Sequence, residues 1–398
     1  MNQAKFYLGI DIGKYIHVVC MTDSEGKVLF KLKVSSRADG WQKLTAAVKQ
    51  HVSDSQWTDI HAGLEATGPY WLTFYEQLKK QGALVTVLNP IQTRAYRNEG
   101  IRGAKTDRVD AELIAKIIRF GDYTETQLPS EDIIALKQLT RLRTDLTHVN
   151  SGFKRKILSL LDQIFPEYHQ VFKETFKKSS RELLKTYTTP EEIAKLSAKK
   201  LTKFLETVSC RQLNKERAKA IHQAAKTSIG AKLGQDATAL SIKVLLAQVE
   251  HLEQQIENLE KEIAQRFRQQ NTKLTTIPGI SEINGATILA EIGNFDRFIG
   301  KDGAEKLTAL AGVDPKVIQS GTLQGKAKMS KRGSPYFRYA IRMAAFVATQ
   351  HDPMFKAILE KQKARGKHFE VALSHVERKL VHVIYSVLKN NKDYQPIM

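Results

Sequence analysis

Cysteine is almost missing from this 398-residue chain, which has only Cys20 and Cys210, far apart. A disulfide framework and a cysteine-ligated zinc site therefore have no basis, and Cys20, inside an apolar run, is expected in the core. No apolar run approaches the ~20 residues of a membrane span, so no membrane association is expected. The N-terminus, MNQAKFYLGIDIGK, has no charged-then-apolar signal segment, and its apolar part reads as a strand. The expected compartment is the cytoplasm. No Gly-rich dinucleotide fingerprint follows that strand. GIDIGK and GTLQGKA both miss the Walker spacing, and there is no H-E-x-x-H. His375 and His382 lie on one helix face and read as packing residues.

Negative charge is also short. Against 62 Lys and Arg stand 42 Asp and Glu, a net charge of +20. A hydrophobic content of 42% with 26% charged residues indicates a folded globular chain rather than a disordered one. Such an excess of cations points to a polyanion, because Lys and Arg displace the counterions of phosphates. Nucleic acid is the expected partner.

The first part of the chain alternates strands and helices. FYLGID (6–11), IHVVCMT (16–22) and KVLFKLKV (27–34) read as three consecutive strands. A helix over 38–51, a strand over 59–66, a helix over 70–82 and a strand over 83–89 follow. After a basic loop with Pro and Gly comes a helix beginning in KTDRVDAELIAK (105–116). Three strands and then αβαβα is the order of a ribonuclease H-like fold; an ordinary doubly wound sheet does not open on three strands. From about residue 130 the pattern turns helical. Leu245, Val249, Leu252, Ile256, Leu259 and Ile263 recur at spacings of four and three between Glu and Gln. That heptad seam, about 245–266, predicts a coiled-coil arm, against the plainer reading of an amphipathic helix packed on its own domain. A third part starts near residue 272, where TIPGISEINGATILAEIG resembles a helix-hairpin-helix element. Such a turn can offer backbone N–H groups to phosphates, or it can be a tight packing turn. A loop-rich, basic, Gly-punctuated segment and three helices complete the chain. The expected domains are 1–125, 130–271 and 272–398.

Four acids stand at informative places. Asp11 ends the first strand and Glu65 ends the fourth, and those strands neighbour each other in a ribonuclease H-like sheet. Asp107 and Asp110, three residues apart at a helix start, share one helix face. Taken alone, this pair could equally be an N-cap and a capping acid. Asp11 alone could be a turn residue, but Glu65 between Leu64 and Ala66 needs a partner. Four carboxylates so gathered would repel one another without a cation between them. A hard divalent ion, Mg2+ first, fits oxygen ligands of this kind and suits phosphodiester chemistry.

Ser320 sits in QSGTLQGKAKMSKRG, where Gly321 and Gly325 allow close approach and Lys326, Lys328, Lys331 and Arg332 supply positive charge. No His or Asp lies close by in sequence to activate it. By local chemistry it reads as a loop hydroxyl, with Ser281, Ser330 and Ser334 as equal rivals for any nucleophilic role.

Taken together, these motifs resemble one family along nearly the whole chain: the DEDD-type transposases of insertion sequence family one-ten, bridge-RNA-guided recombinases related to the Piv and MooV DNA invertases. The match rests on Asp11 in GIDIGK, Glu65 in EATGPYW, and Asp107 with Asp110 in KTDRVDA. In the second half it rests on IPGIS, LTALAGVDP and SG followed by GKAKMSKRG. The region 130–235 carries little of it. The resemblance implies a RuvC-like N-terminal domain binding Mg2+ through Asp11, Glu65, Asp107 and Asp110. It also implies a helical, coiled-coil middle and a mainly helical C-terminal transposase domain. Its nucleophile would be the serine before Gly321, which reverses the local reading of Ser320. The implied chemistry is strand cutting through a covalent phosphoserine and rejoining without ATP, in a site composed from two protomers. The implied partners are donor and target DNA, a noncoding bridge RNA and further copies of the chain, as a homodimer or homotetramer. Lys14, Arg102, Lys105, Arg108, Lys326, Lys328, Lys331, Arg332 and Arg338 are the expected nucleic-acid contacts. The competing readings are a site-specific invertase, an actin-like ATPase or sugar kinase, which also opens on GIDIG but needs a second phosphate loop, and a nucleic-acid-binding protein with a dead catalytic domain.

Overall fold

The first three strands form because apolar and β-branched residues alternate or run together between short turns. In the computed structural model they are β1 (Phe6–Asp11), β2 (Ile16–Asp23) and β3 (Val28–Ser35), an antiparallel meander. The structure describes residues 4–52, 54–66, 68, 70–90, 93, 96, 107–121, 123, 128–209, 215–316, 319–320, 323–324 and 328–396, with backbone only at 54–56, 107–109, 316, 319–320, 323–324 and 328. The chain divides into two compact units, Met1–Leu128 and Pro129–Met398. No helix among the described residues is long and apolar enough to cross a membrane.

In the first unit, α1 (Ala38–Lys49), β4 (Ile60–Glu65), α2 (Trp71–Lys80), β5 (Leu84–Leu88) and α3 (Asp107–Phe120) follow the meander. The sheet order is β3-β2-β1-β4-β5, with β4 parallel to both β1 and β5. This is the mixed five-stranded sheet that the three-strand opening predicts, within one or two residues at each boundary. Alternation sends Leu8, Ile10, Leu64 and Val85 to one face, where Leu44 and Val48 of α1 and Phe74 and Leu78 of α2 complete a core. The other face takes α3, through Ile114, Ile117 and Ile118 packed near Tyr7 and Leu88. Cys20 is buried, as expected, and Cys210 lies outside the described residues.

Two glycines set how close α3 comes. Gly9 and Gly63 are register partners across the β1–β4 ladder. A Cβ on Gly9 would lie 2.0 Å from the Ala111 carbonyl oxygen, and one on Gly63 2.8 Å from Ile114 Cγ2. Any side chain at either position would push the helix off the sheet.

The second unit is helical. It runs through α4 (Glu131–Ile164), α5 (Tyr168–Val171), α6 (Lys178–Thr186), α7 (Pro190–Ala194), α8 (Ala198–Val208), α9 (Lys215–Lys226) and α10 (Gln235–Gln269). Next come α11 (Glu282–Ile292) and α12 (Gly303–Ala311), four two-residue strands, and α13 (Pro335–His351), α14 (Pro353–Ala364) and α15 (Phe369–Asn390). The long helices α4 and α10 run antiparallel and join two cores. Ile133, Leu136, Ile263 and Phe267 belong to a core around α11, α13 and α15. Ile157, Leu161, Ile242 and Leu246 belong to a second, with α5 to α9. Between the cores the pair is laced by ions, Arg143 to Glu260 at 2.9 Å and Lys154 to Glu253 at 2.7 Å.

The heptad seam lies in α10. Val249 and Ile263 are buried in the chain's own cores, while Leu252, Ile256 and Leu259 between them are half-buried. At the TIPGIS turn, Gly279 (φ +87°) is pressed on α13: a Cβ there would meet the Ala344 carbonyl oxygen at 2.3 Å. This glycine lets the turn pack closely on α13.

Candidate active site

Asp11 and Glu65 stand two residues beyond the paired glycines. Side chains alternate along a strand, so Gly9 and Asp11 share a face, as do Gly63 and Glu65. That face is the one α3 covers. Ile10 and Leu64 are register partners, so the two acids leave neighbouring parallel strands at the same level. Asp110 precedes Ala111, whose carbonyl lies against Gly9, and Asp110 itself is 7% exposed. The glycine pair thus brings a helix-borne carboxylate to the edge where the two strand-borne ones emerge. Asp107 lies one helical turn earlier on the same stripe; its side chain is outside the described ones.

Glu65 is held from behind. It accepts a hydrogen bond from Thr93 Oγ1 at 2.9 Å, and that threonine is buried. Nothing in the sequence singled out Thr93, because the partner lies 28 residues away, at a helical position where a loop was expected. His61 shares the face of Glu65, two turns of the alternation earlier. Its Nε2 lies 2.8 Å from Thr86 Oγ1, and burial pulls its pKa down to about 4. Its place is structural, beneath the acids. Among the described residues no group of three His, Cys, Asp or Glu side chains is gathered closely enough to hold a metal ion. As a donor set, Asp11, Glu65 and Asp110 offer anionic oxygen alone, which suits a hard divalent cation rather than a soft one.

The described residues of the serine segment form two short ladders, and Gly321 and Gly325 lie outside the described residues. Strand β6 (Pro315–Lys316) pairs antiparallel with β9 (Lys328–Met329), and within it β7 (Gln319–Ser320) pairs with β8 (Leu323–Gln324). These two short ladders, termed the arm, set Ser320 opposite Leu323. At the foot of the arm the Ser330 hydroxyl donates to Asp314 Oδ1, and the Ser330 amide donates to the Asp314 carbonyl at 2.9 Å. The rival serines each have a local structural role. Ser281 caps α11 by accepting from the Asn284 amide, Ser334 caps α13 by accepting from the Phe337 amide, and Ser330 fastens the arm.

Of the expected nucleic-acid contacts, Lys14 is exposed beside Tyr15, its ammonium 5.0 Å from the ring centroid. Lys331 and Arg332 are exposed at the foot of the arm. Arg338 is half-buried and gives one N–H to the Ala311 carbonyl at 3.1 Å. Arg102, Lys105 and Lys326, and the side chains of Arg108, Lys328 and Ser320, lie outside the described residues.

Sequence reasoning also missed an ion pair, with its carboxylate buried and its arginine partly exposed, that braces the second unit. Arg141 of α4 donates to Glu291 of α11, with Nη2 to Oε2 at 2.9 Å, and Lys137 stands 3.9 Å away. Burial works against the Glu291 charge, but the Arg141 hydrogen bonds and the Lys137 charge outweigh it and hold the carboxyl below its usual range.

Comparison with known proteins gives the same direction. A family model of DEDD-type IS110 transposases matches residues 8–166, and the model described as "Transposase IS116/IS110/IS902 family" matches residues 271–360. The chain is 26% identical to the 44.8 kDa protein of insertion element IS116 from Streptomyces clavuligerus, over 98% of this chain and 96% of that one. It is 25% identical to the 42 kDa protein of insertion element IS900 from Mycobacterium paratuberculosis, over 98% and 97%. It is 24% identical to the pilin gene-inverting protein of Moraxella bovis, over 98% of both. The two family models, consistent with a mixed sheet followed by a helical unit, define the class as a transposase. The chain belongs to the IS110 family of these enzymes.

Proposed function

We propose that this protein recombines DNA by cutting and rejoining strands through a phosphoserine formed on Ser320, assisted by Mg2+ held by Asp11, Glu65, Asp107 and Asp110. One observation carries the acidic half: the Gly9–Gly63 pair that seats α3 directs Asp11, Glu65 and Asp110 to one edge of the sheet. Bound there, Mg2+ would supply charge neutralisation for a phosphodiester. The chain's own groups do the rest. Thr93 orients Glu65, and Lys14 at the neighbouring turn attracts the DNA backbone. In the cutting step the Ser320 Oγ–P bond forms and one backbone P–O bond breaks. The departing sugar oxygen leaves as a hydroxyl, with the proton that the serine gives up. In rejoining, a sugar hydroxyl attacks the phosphoserine and Ser320 recovers its proton, so the phosphoester energy is conserved without ATP.

The domain scheme in this reading is a metal-binding catalytic domain over 1–125, a helical region over 130–271 and a serine domain over 272–398. The half-buried Leu252 and Ile256 are where a second protomer would complete a coiled coil, and the turn at IPGIS would contribute to DNA backbone contact. A noncoding RNA that pairs with donor and target would carry sequence choice, in keeping with the net charge of +20. The setting is the cytoplasm, on chromosomal DNA. The 24% identity to a pilin gene-inverting protein over 98% of both chains favours, as a second reading, inversion between fixed sites by the same chemistry. Incubation with labelled donor and target DNA, flanking RNA and Mg2+, followed by a denaturing gel, tests the mechanism. A protein–DNA adduct that needs Ser320 supports it, and an adduct that persists in Ser320→Ala overturns it.

A further inference from the structure

The second unit holds a cleft of about 1150 Å3 between α13, α15 and the foot of the serine-bearing arm. That is ample for a ligand of nucleotide size. Its charges divide into those the fold uses and those it leaves. Arg342 Nη2 donates to Glu370 at 2.7 Å, and Lys367 Nζ lies 2.8 Å from His375 Nε2. Among the described residues no carboxylate pairs with Lys331 or Arg338, which stand in the same lining.

Glu377 is the anomaly. It lines the cleft, is 3% exposed, and its Oε2 has no hydrogen-bond partner among the described residues. Burial pushes its carboxyl up to about 7. A buried acceptor left unpaired costs stability, and apolar packing would have tolerated a leucine there more cheaply. Tyr339 also lines the cleft, 37% exposed, its ring set edge-on to His148 at 5.6 Å between centroids. Arg378 lines the cleft as well, and it, Arg338 and Arg342 act on the Glu377 charge without bonding its Oε2. Lining cations without a carboxylate pair among the described residues, a partly exposed aromatic ring and a buried acceptor oxygen match the parts of a nucleotide: phosphate, ring and N–H edge.

We propose that this cleft receives one nucleotide drawn out of the substrate strand, with its phosphate on Lys331 and Arg338, its base beside Tyr339 and a base N–H donating to Glu377. The proposal rests on the nucleic-acid reading above and names a site within it. The acceptor selects among bases. Guanine offers adjacent N1–H and N2–H donors. The N3–H of thymine or uracil is flanked by two carbonyl oxygens that a carboxylate repels. Guanine is therefore the preferred occupant.

The test uses the full chain and fluorescence anisotropy. The probes are a short oligothymidylate, the same strand with one central guanosine, and free GMP as competitor. The wild type is expected to bind the guanosine strand about tenfold more tightly, and GMP to reduce that advantage. Glu377→Gln, which keeps the volume, removes the preference. Tyr339→Ala, at a partly exposed site, weakens the guanosine strand by about tenfold. Equal binding of the two strands by the wild type, or a preference intact in Glu377→Gln, overturns the proposal. The Ser320 adduct is read separately. An adduct without a guanosine preference sinks the cleft and leaves the recombinase, and a preference without an adduct does the reverse.

Discussion

Gly9 and Gly63 face each other across β1 and β4, and one helix, α3, rests on both. Two residues further along each strand stand Asp11 and Glu65. The spacing of the carboxylates is thus set by two residues that have no side chain. Gly9→Ala would place a methyl 2.0 Å from a backbone oxygen that cannot turn aside. We expect a loss of about 3 kcal/mol in the first unit. Trp41, Trp57 and Trp71 are the only tryptophans, and all lie in that unit, so their emission during urea unfolding reads it alone. Strand transfer should fall even where the variant remains folded. A Gly9→Ala protein of unchanged midpoint would show that α3 does not depend on this approach.

The acids themselves are tested by Asp110→Asn. The change keeps size and removes charge, so tryptophan emission should stay native while recombination falls by at least about a hundredfold. Chelation with EDTA should do the same to the wild type, and added Mg2+ should restore it. Full activity in the variant would return Asp110 to a capping role.

Serine substitutions separate nucleophile from scaffold. Ser320→Ala should abolish the covalent adduct with no change in the helical melt. Ser281→Ala and Ser334→Ala each lose an N-cap, at a cost of about 1 kcal/mol, and should still form the adduct. Loss of the adduct in a capping variant that melts normally would move the nucleophile away from Ser320.

Acid should loosen the first unit through histidine. Burial lowers the His61 pKa from 6.5 to about 4, and burial also lowers that of His17, against a raising contact from the Gly13 backbone. The folded state therefore resists a proton that the unfolded chain takes up near 6.5. The stability is fully present above that pH and is lost as the pH falls toward 4, by about 3 kcal/mol for His61. Urea midpoints at several values between pH 7.5 and 5, read by tryptophan emission, measure it. In His61→Phe the slope over this window should shrink; an unchanged slope would place the titration elsewhere.

Arg141 and Glu291 give the second unit its own test. Removing the arginine leaves a buried carboxylate whose side chain is 1% exposed, with the Ser334 hydroxyl and Lys137 at 3.9 Å as its remaining partners. Arg141→Ala should cost about 3 kcal/mol in the helical melt followed by circular dichroism, whereas replacing both residues by methionine should cost far less. Equal losses would mean that the pair adds net stability beyond its desolvation.

The sequence by itself determined the elements of the first unit. Period-two apolar runs and glycine stops depend on neighbours a few residues away, so β1 to β5, α1 and α2 were legible to within one or two residues, and the start of α3 with them. The motifs around Asp11, Glu65, Asp107, Asp110 and Ser320 were legible for the same local reason, and so was the family. Tertiary structure decided what depends on distant partners. It paired Gly9 with Gly63, put Thr93 behind Glu65 and matched Arg141 to Glu291 across 150 residues. It paired Pro315–Lys316 with Lys328–Met329 and Gln319–Ser320 with Leu323–Gln324, ladders too short to leave a periodic trace. It spent both ends of the α10 seam on the chain's own cores, since an apolar stripe records that something packs on it but not what. It also left Glu377 buried without a partner for one oxygen, a fact that exists only once the helices around it have closed.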